Sequence, residues 1–281
     1  MLNPKLHLGT SSWTAKGWLG KFYPSGTKPV DFITHYAQRY GTVEIDATFY
    51  ATPAASTIAG WREKTPDGFI FAAKAPQAIT HDLFLENCEH ELNGFLNAMS
   101  GLGPKLGPIL FQFPYFAKKK GVTEDEFLVR LARFCKTLPQ AGFRFAVEVR
   151  NKTWMNVALF EILHEHRIAC CLIDHPWMST PDQLFKQREI VTAPFAYVRW
   201  LGDRYAIEKI TQVWNQSVVD RSKDVARWVP HIQKLVEQEV DVFGYVNNHY
   251  GGYAPDNIDQ LTKLLDNEKG AVVDREDRVP G

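Results

Sequence analysis

Apolar residues in this chain fall in short bursts separated by longer stretches with helical spacing. Eight bursts are rich in β-branched or aromatic residues: LHLGT (6–10), TVEIDA (42–47), FIFAAK (69–74), PILFQF (108–113), FRFAVEV (143–149), IACCLID (168–174), FAYVRWL (195–201) and DVFGYVN (241–247). Helix-periodic stretches lie between most of them, over 31–40, 54–64, 87–101, 124–138, 154–166 and 220–238, with a last one at 257–268. Strand-length runs alternating with helix-length ones predict βα units on a parallel sheet. Several helices carry start signals: Asp31 after Pro29, Thr123 before Glu-Asp-Glu, Asp220, and Pro255-Asp256-Asn257. The connection 175–194 holds Pro176, Pro181 and Pro194, so a sixth helix is expected to be short or missing.

Eight units in one unbroken alternation predict a single (β/α)₈ barrel, a TIM barrel, over 1–268, followed by a polar, loosely ordered tail at 269–281. The competing architecture is an open doubly wound sheet. Its usual GxGxxG turn after the first strand is absent, because GTSSWT stands there.

Side chains alternate across a strand, and in a parallel barrel the outward set meets helices while the inward set fills the barrel. Placing the apolar set outward (Val43, Ile45, Phe71, Ala73, Phe111, Phe113, Val147, Val149, Val198, Trp200, Val246) sends a polar set inward. That set is Glu44, Asp46, Lys74, Gln112, Glu148, Arg150, Arg199 and Asn247; Asp174 joins it at the end of the sixth strand, on the face of Cys170 and Leu172. Every member lies in the second half of its strand or just after it, where barrel proteins place their functional groups. A buried charge without a partner is costly, so this convergence points to a pocket at the barrel mouth. Glu44, Asp46, Lys74, Glu148, Arg150 and Asp174 are the candidate catalytic groups, and Gln112, Arg199 and Asn247 the candidate substrate contacts. The other reading is a closed ion-pair network, since four acids nearly balance three bases.

The loops above the strands add candidates. Aromatic residues Trp13, Tyr50 and Trp154 suit stacking on a sugar or a base, or else pack the long loops onto the barrel. His81 and His249 are candidate acid/base groups. After the eighth strand, NNHYGGYAPDN places Asn247, Asn248 and Gly251-Gly252 ahead of a helix N-terminus, where barrels commonly bind phosphate. The carboxylates Glu44, Asp46, Glu148 and Asp174 would suit Mg²⁺ or Mn²⁺, but no HxH or HExxH spacing supports a metal and the interspersed Lys and Arg oppose an all-carboxylate cage.

Composition narrows the classes. The 281 residues carry 32 Lys plus Arg against 32 Asp plus Glu, a net charge of zero that disfavours generic nucleic-acid binding. Cys88, Cys135, Cys170 and Cys171 lack CxxC spacing, which reads as reduced thiols in a cytoplasmic protein. Neither a signal peptide nor a membrane span is expected.

The stretches GTSSWTAKGWLGKFYP, VEIDATFYATP, FAAKAPQAITHD, LGPILFQFP, VEVRNKTW, YVRWLG and NNHYGGYAPDN, in that order from about residue 8 to about 265, resemble the successive motifs of the YecE-like family, domain of unknown function 72. The resemblance implies a TIM barrel and no settled activity. The chain departs from the family pattern at Asp46, at EVRNKTW and at VNNH, where His249 replaces an acidic residue. Three functions remain open: an acid/base enzyme acting on a sugar-like or phosphorylated small molecule, a nucleic-acid binder or processor, and a non-catalytic scaffold. In the first, Glu148 or Glu44 is the general acid or base, and Lys74 with Arg199 stabilises negative charge.

Overall fold

A computed structural model describes residues 3–117, 122–139, 141–187 and 189–276. The eight apolar runs form eight parallel strands: β1 (Leu6–Thr10), β2 (Thr42–Ile45), β3 (Ile70–Lys74), β4 (Leu106–Gln112), β5 (Phe145–Glu148), β6 (Ala169–Asp174), β7 (Phe195–Trp200) and β8 (Asp241–Val246). Helices follow as α1 (Phe32–Tyr36), α2 (Ala55–Glu63), α3 (Glu89–Ser100), α4 (Glu124–Thr137), α5 (Val157–Glu165), α6 (Pro181–Leu184), α7 (Arg204–Glu208), α8 (Ser222–Glu237) and α9 (Ala254–Glu276). The sheet order is β1-β8-β7-β6-β5-β4-β3-β2, the order of a (β/α)₈ barrel.

The proline-rich connection leaves room for only a four-residue α6. Helix α7 has no counterpart in the apolar pattern; Asp203 caps it by accepting from the Ala206 N–H at 3.1 Å. At α4 the Thr123 signal is a full capping box: Thr123 Oγ1 accepts from Glu126 N at 3.3 Å, and Glu126 Oε2 accepts from Thr123 N at 2.8 Å. The expectation of a loose tail over 269–281 falls partly outside the described residues, which end at 276; the α9 backbone runs to Glu276.

No backbone ladder joins β1 to β2, and the barrel closes there through a side chain. The Tyr36 hydroxyl accepts from the Thr10 N–H at 2.9 Å and donates to the Thr42 carbonyl at 3.1 Å, standing in for ladder bonds. Gly9 permits the approach, because a Cβ there would lie 2.1 Å from the Thr42 carbonyl oxygen.

Outward residues pack as the alternation requires. Phe111 meets Phe134 of α4 with centroids 5.0 Å apart, Phe113 meets Phe127 at 4.9 Å, and Trp200 meets Trp228 of α8 at 5.6 Å. Inside, His7 stacks on Phe243 near the floor. Above them Tyr245 and Thr42 share a hydrogen bond of 2.9 Å. The next layer is charged, and over it lies the mouth. All four cysteines are free and buried; Cys170 and Cys171 face opposite sides of β6, toward Met155 and Glu148 respectively.

Candidate functional site

The charged layer is built from β2, β5 and β7. Arg199 reaches inward from β7 and donates from Nε and Nη2 to Glu44 Oε1 at 3.2 and 2.7 Å, and from Nη1 to Glu148 Oε2 at 2.6 Å. The second oxygen of Glu44 accepts from the Tyr197 hydroxyl at 2.6 Å. The second oxygen of Glu148 accepts from Arg150 Nε at 2.9 Å. Glu44 and Glu148 are fully buried and Arg199 nearly so. Burial by itself would raise the Glu148 pKa, but the Arg199 and Arg150 guanidiniums overcome it and hold the carboxyl at about 2. Burial would lower the Arg199 pKa, and the two glutamates instead raise it well above the usual value.

This arrangement argues against Glu44 and Glu148 as the general acid or base. A general base needs a free lone pair and a pKa near the working pH. Glu148 has both oxygens bonded to guanidiniums, which hold it well below that range, and both oxygens of Glu44 are bonded, to Arg199 and Tyr197. The ion-pair network exists, but it forms the floor of the site and does not plug it.

Above the network opens a cavity of about 430 Å³ whose walls include Asp46, Tyr50, Lys74, His81, Gln112, Arg150, Arg199 and Asn247. Eight of the fifteen predicted site residues therefore converge on one cavity, with two more directly beneath it. Lys74 is the last residue of β3. Its Nζ lies 3.4 Å from Asp46 Oδ1 and 3.8 Å from the centre of the Phe49 ring. Burial is the main cause of its lowered pKa, opposed by Asp46 and reinforced by Arg199. Asp46 arrives there on a 3₁₀ turn (Asp46–Phe49), since β2 ends at Ile45. Thr48 anchors that turn by donating to the Ile45 and Lys74 carbonyls, both at 2.7 Å. His81 bonds Thr80 at 2.8 Å, and burial, helped by Lys74, brings its pKa to about 4, so it is neutral at pH 7. Gln112 donates to the Phe113 carbonyl.

Other predicted residues lie elsewhere. Asp174 faces outward at the end of β6, and its Oδ2 accepts from Trp228 Nε1 at 2.7 Å and the Tyr250 hydroxyl at 3.0 Å. It borders a separate 250 Å³ cavity with Arg221 and Asp224. Sharing a face with Cys170 already implied this, because that face meets helices. Glu44, Asp46, Glu148 and Asp174 thus do not form a cage for Mg²⁺ or Mn²⁺. Among the described residues no three His, Cys, Asp or Glu side chains group so as to hold a metal ion.

Trp13 is buried edge-on to Trp61 at 5.4 Å, and Trp154 stacks on Phe116 at 4.9 Å and Phe127 at 5.2 Å. Packing is what both rings do, although Trp154 also edges a groove of about 780 Å³ beside the mouth. Of the three predicted rings only Tyr50 is exposed, at 74%, with its edge against Phe49.

The glycine loop after β8 is likewise filled by protein. Asn248 Oδ1 takes the Ala254 N–H at the start of α9, and the Gly251 carbonyl accepts from Val218 and Val219. Gly202 (φ +67°) is required because a Cβ would stand 2.4 Å from the His249 carbonyl oxygen. The glycines there answer to close packing, and the loop offers no open cradle of amides for a phosphate. His249 sits between Asn247 Oδ1 at 2.6 Å and Glu208 Oε1 at 3.1 Å.

The alternation also contained residues that the sequence reading passed over. Tyr197, two positions before Arg199, shares its inward face. His175, the first residue after β6, and Arg204, the first of α7, line the cavity, as does Tyr115 from its loop. Position just beyond a strand's carboxyl end was the available signal.

The sequence matches the family described as "Protein of unknown function DUF72" over residues 7–280. It is 26% identical to UPF0759 protein YunF of Bacillus subtilis, across 96% of this chain and 98% of that one. It is 31% identical to UPF0759 protein YecE of Escherichia coli K12, across 76% and 80%. The crystal structure of a DUF72 family protein from Thermotoga maritima superposes with a TM-score of 0.74 at 24% identity, covering 93% of this chain and 99% of that one. A second, from Enterococcus faecalis, gives 0.65 at 22%, covering 93% and 97%. The barrel, the motif order and a match along nearly the whole chain agree, and the protein belongs to the DUF72 family.

Proposed function

We propose that the mouth cavity binds an anionic small molecule and that the protein is an enzyme carrying out acid/base chemistry on it through Lys74 and Asp46. The carrying observation is the charge of the lining. Lys74, Arg150, Arg199 and Arg204 face the cavity against one carboxylate, Asp46, while the two glutamates that balance Arg199 lie beneath it. A guanidinium has five N–H donors. Arg199 spends three bonds on the glutamates and Arg150 one, so both retain donors for a ligand carboxylate or phosphate.

With the anion held there, the chemistry falls to the groups that are not locked. Lys74 exchanges a proton at Nζ, and Asp46, 3.4 Å away and partly exposed, relays it. The neutral imidazoles of His81 and His175 donate or accept hydrogen bonds to the uncharged part of the ligand. A glycosidase with two opposed carboxyls is not favoured, because Asp46 is the one carboxylate on the described lining.

A thermal-shift panel of carboxylates, inorganic phosphate and sugar phosphates tests the reading. A ligand at a hundred times its Kd adds about 2.7 kcal/mol of stability, so true ligands raise Tm visibly. The rise should vanish in Arg150→Ala and persist in Lys105→Ala, remote from the mouth. No response to any anion, or an equal response in both variants, would sink the proposal.

A further inference from the structure

The chain buries two lysines, and their surroundings differ. Lys105 donates from Nζ to the Arg62 carbonyl at 2.7 Å, the Thr65 carbonyl at 2.6 Å and Thr65 Oγ1 at 3.2 Å, so all three ammonium protons are used. Lys74, equally buried, has among the described residues no backbone acceptor and one carboxylate oxygen at 3.4 Å. It lies against the face of Phe49, above the Arg199 guanidinium, with its Nζ at the wall of the cavity. Desolvation and a neighbouring cation are the two conditions that turn a lysine into a nucleophilic amine.

Resting on the anion-binding reading above, we infer that Lys74 is a covalent catalyst whose amine forms a Schiff base with the carbonyl carbon of an anion-bearing aldehyde or ketone, either an oxo acid or a phosphorylated carbonyl compound. Arg150 and Arg199 hold the anionic group, which presents the carbonyl to Nζ. The Nζ lone pair forms the C–N bond while the carbonyl π pair moves onto oxygen. Asp46 takes one proton from nitrogen and passes it to that oxygen, giving the neutral carbinolamine. One further proton, from solvent through Asp46, lets the hydroxyl leave as water while the nitrogen lone pair closes the C=N bond. The sum is amine, carbonyl and one proton giving iminium and water, with no redox partner required. Phe49 and the buried floor limit the water that would hydrolyse the iminium.

The test is reductive trapping on the full chain. The protein is incubated with pyruvate, glyoxylate or dihydroxyacetone phosphate plus cyanoborohydride near neutral pH, and the modified lysines are mapped by peptide mass. In parallel, lactate and glycerol phosphate, the same anions without a carbonyl, are tried for thermal stabilisation and as competitors. The expected result is one dominant adduct at Lys74 with at least one probe, at least tenfold above any exposed lysine, suppressed by the matching non-carbonyl anion and absent in Lys74→Arg. Mapping on the unmutated chain keeps the result independent of how that variant folds. Stabilisation by lactate or glycerol phosphate with no preferred adduct at Lys74 overturns the Schiff-base inference and leaves the anion site standing. Labelling spread evenly over exposed lysines, or unchanged in Lys74→Arg, also overturns it. Neither stabilisation nor adduct overturns both readings.

Discussion

Two sets of charged side chains occupy the inside of this barrel, one directly above the other, and they are made differently. In the lower set Arg199, Glu44, Glu148 and Tyr197 have every carboxylate oxygen bonded at 3.2 Å or less, and none is exposed. In the upper set Lys74, Asp46, His81 and His175 have few partners and an open cavity before them, and burial lowers the pKa of Lys74, His81 and His175. Charges that are fully paired hold geometry, and charges left underpaired are available to a ligand. On the proposed reading the lower set supports the site and the upper set does the chemistry.

The largest effect should come from breaking the lower set. Arg199→Met leaves two buried carboxylates without their cation and should cost about 3–5 kcal/mol in urea unfolding. Combining it with Glu44→Gln and Glu148→Gln should recover much of that loss; if it does not, the network is not what holds this region. Next comes acid. Glu148 is held at about 2 in the folded chain against an ordinary value of 4.5, a depressed carboxyl. Its contribution is therefore complete above pH 4.5 and disappears as pH falls toward 2. At about 1.4 kcal/mol per tenfold change in proton affinity, roughly 3 kcal/mol should be lost over that window. Unfolding midpoints at pH 7, 4.5 and 3 measure it, and Glu148→Gln should flatten the profile.

Substitutions at the cavity wall should move function more than the fold, least cleanly at Arg150, which also pairs the buried Glu148. Arg150→Ala removes a charge-assisted donor and should weaken anion binding by about 1.5–3 kcal/mol, some ten- to a hundredfold in Kd by calorimetry. Lys74→Met deletes a desolvated ammonium, so its stability should shift by less than about 1 kcal/mol while ligand-induced stabilisation falls sharply. A large destabilisation instead would move Lys74 to the supporting set. Tyr50→Ala, at an exposed rim position, should leave the unfolding midpoint within about 0.5 kcal/mol.

The legibility of these features follows from their physics. Strand count, face assignment and the inward polar set were readable because a period of two in a doubly covered strand leaves few arrangements. Glu44, Lys74, Gln112, Glu148 and Arg199 stand where alternation puts them. Beyond the last ladder residue alternation stops applying: Asp46 reaches the cavity on a 3₁₀ turn that no period describes. Partnership was also hidden. Nothing in the string says that Glu148 meets Arg199, 51 residues away, and that pairing is what argues against Glu148 as a base. Aromatic residues misled for a related reason, since a ring in a long loop stacks equally well on protein, as Trp154 does on Phe116.

The seam at Tyr36 bears on how such a chain is made. Strands β2 to β7 each pair with a neighbour in sequence and can assemble as they leave the ribosome. Strand β1, made before the other strands, finds its backbone ladder among the described residues on β8, with Leu6 opposite Val242. Before β8 is made, the hydrogen bonds that tie β1 to β2 run through the hydroxyl of Tyr36, at the close approach that Gly9 allows. The beginning of the chain therefore waits for its end. Substitution of Tyr36 by Phe should show itself less in the finished protein than in the yield of chains that close correctly.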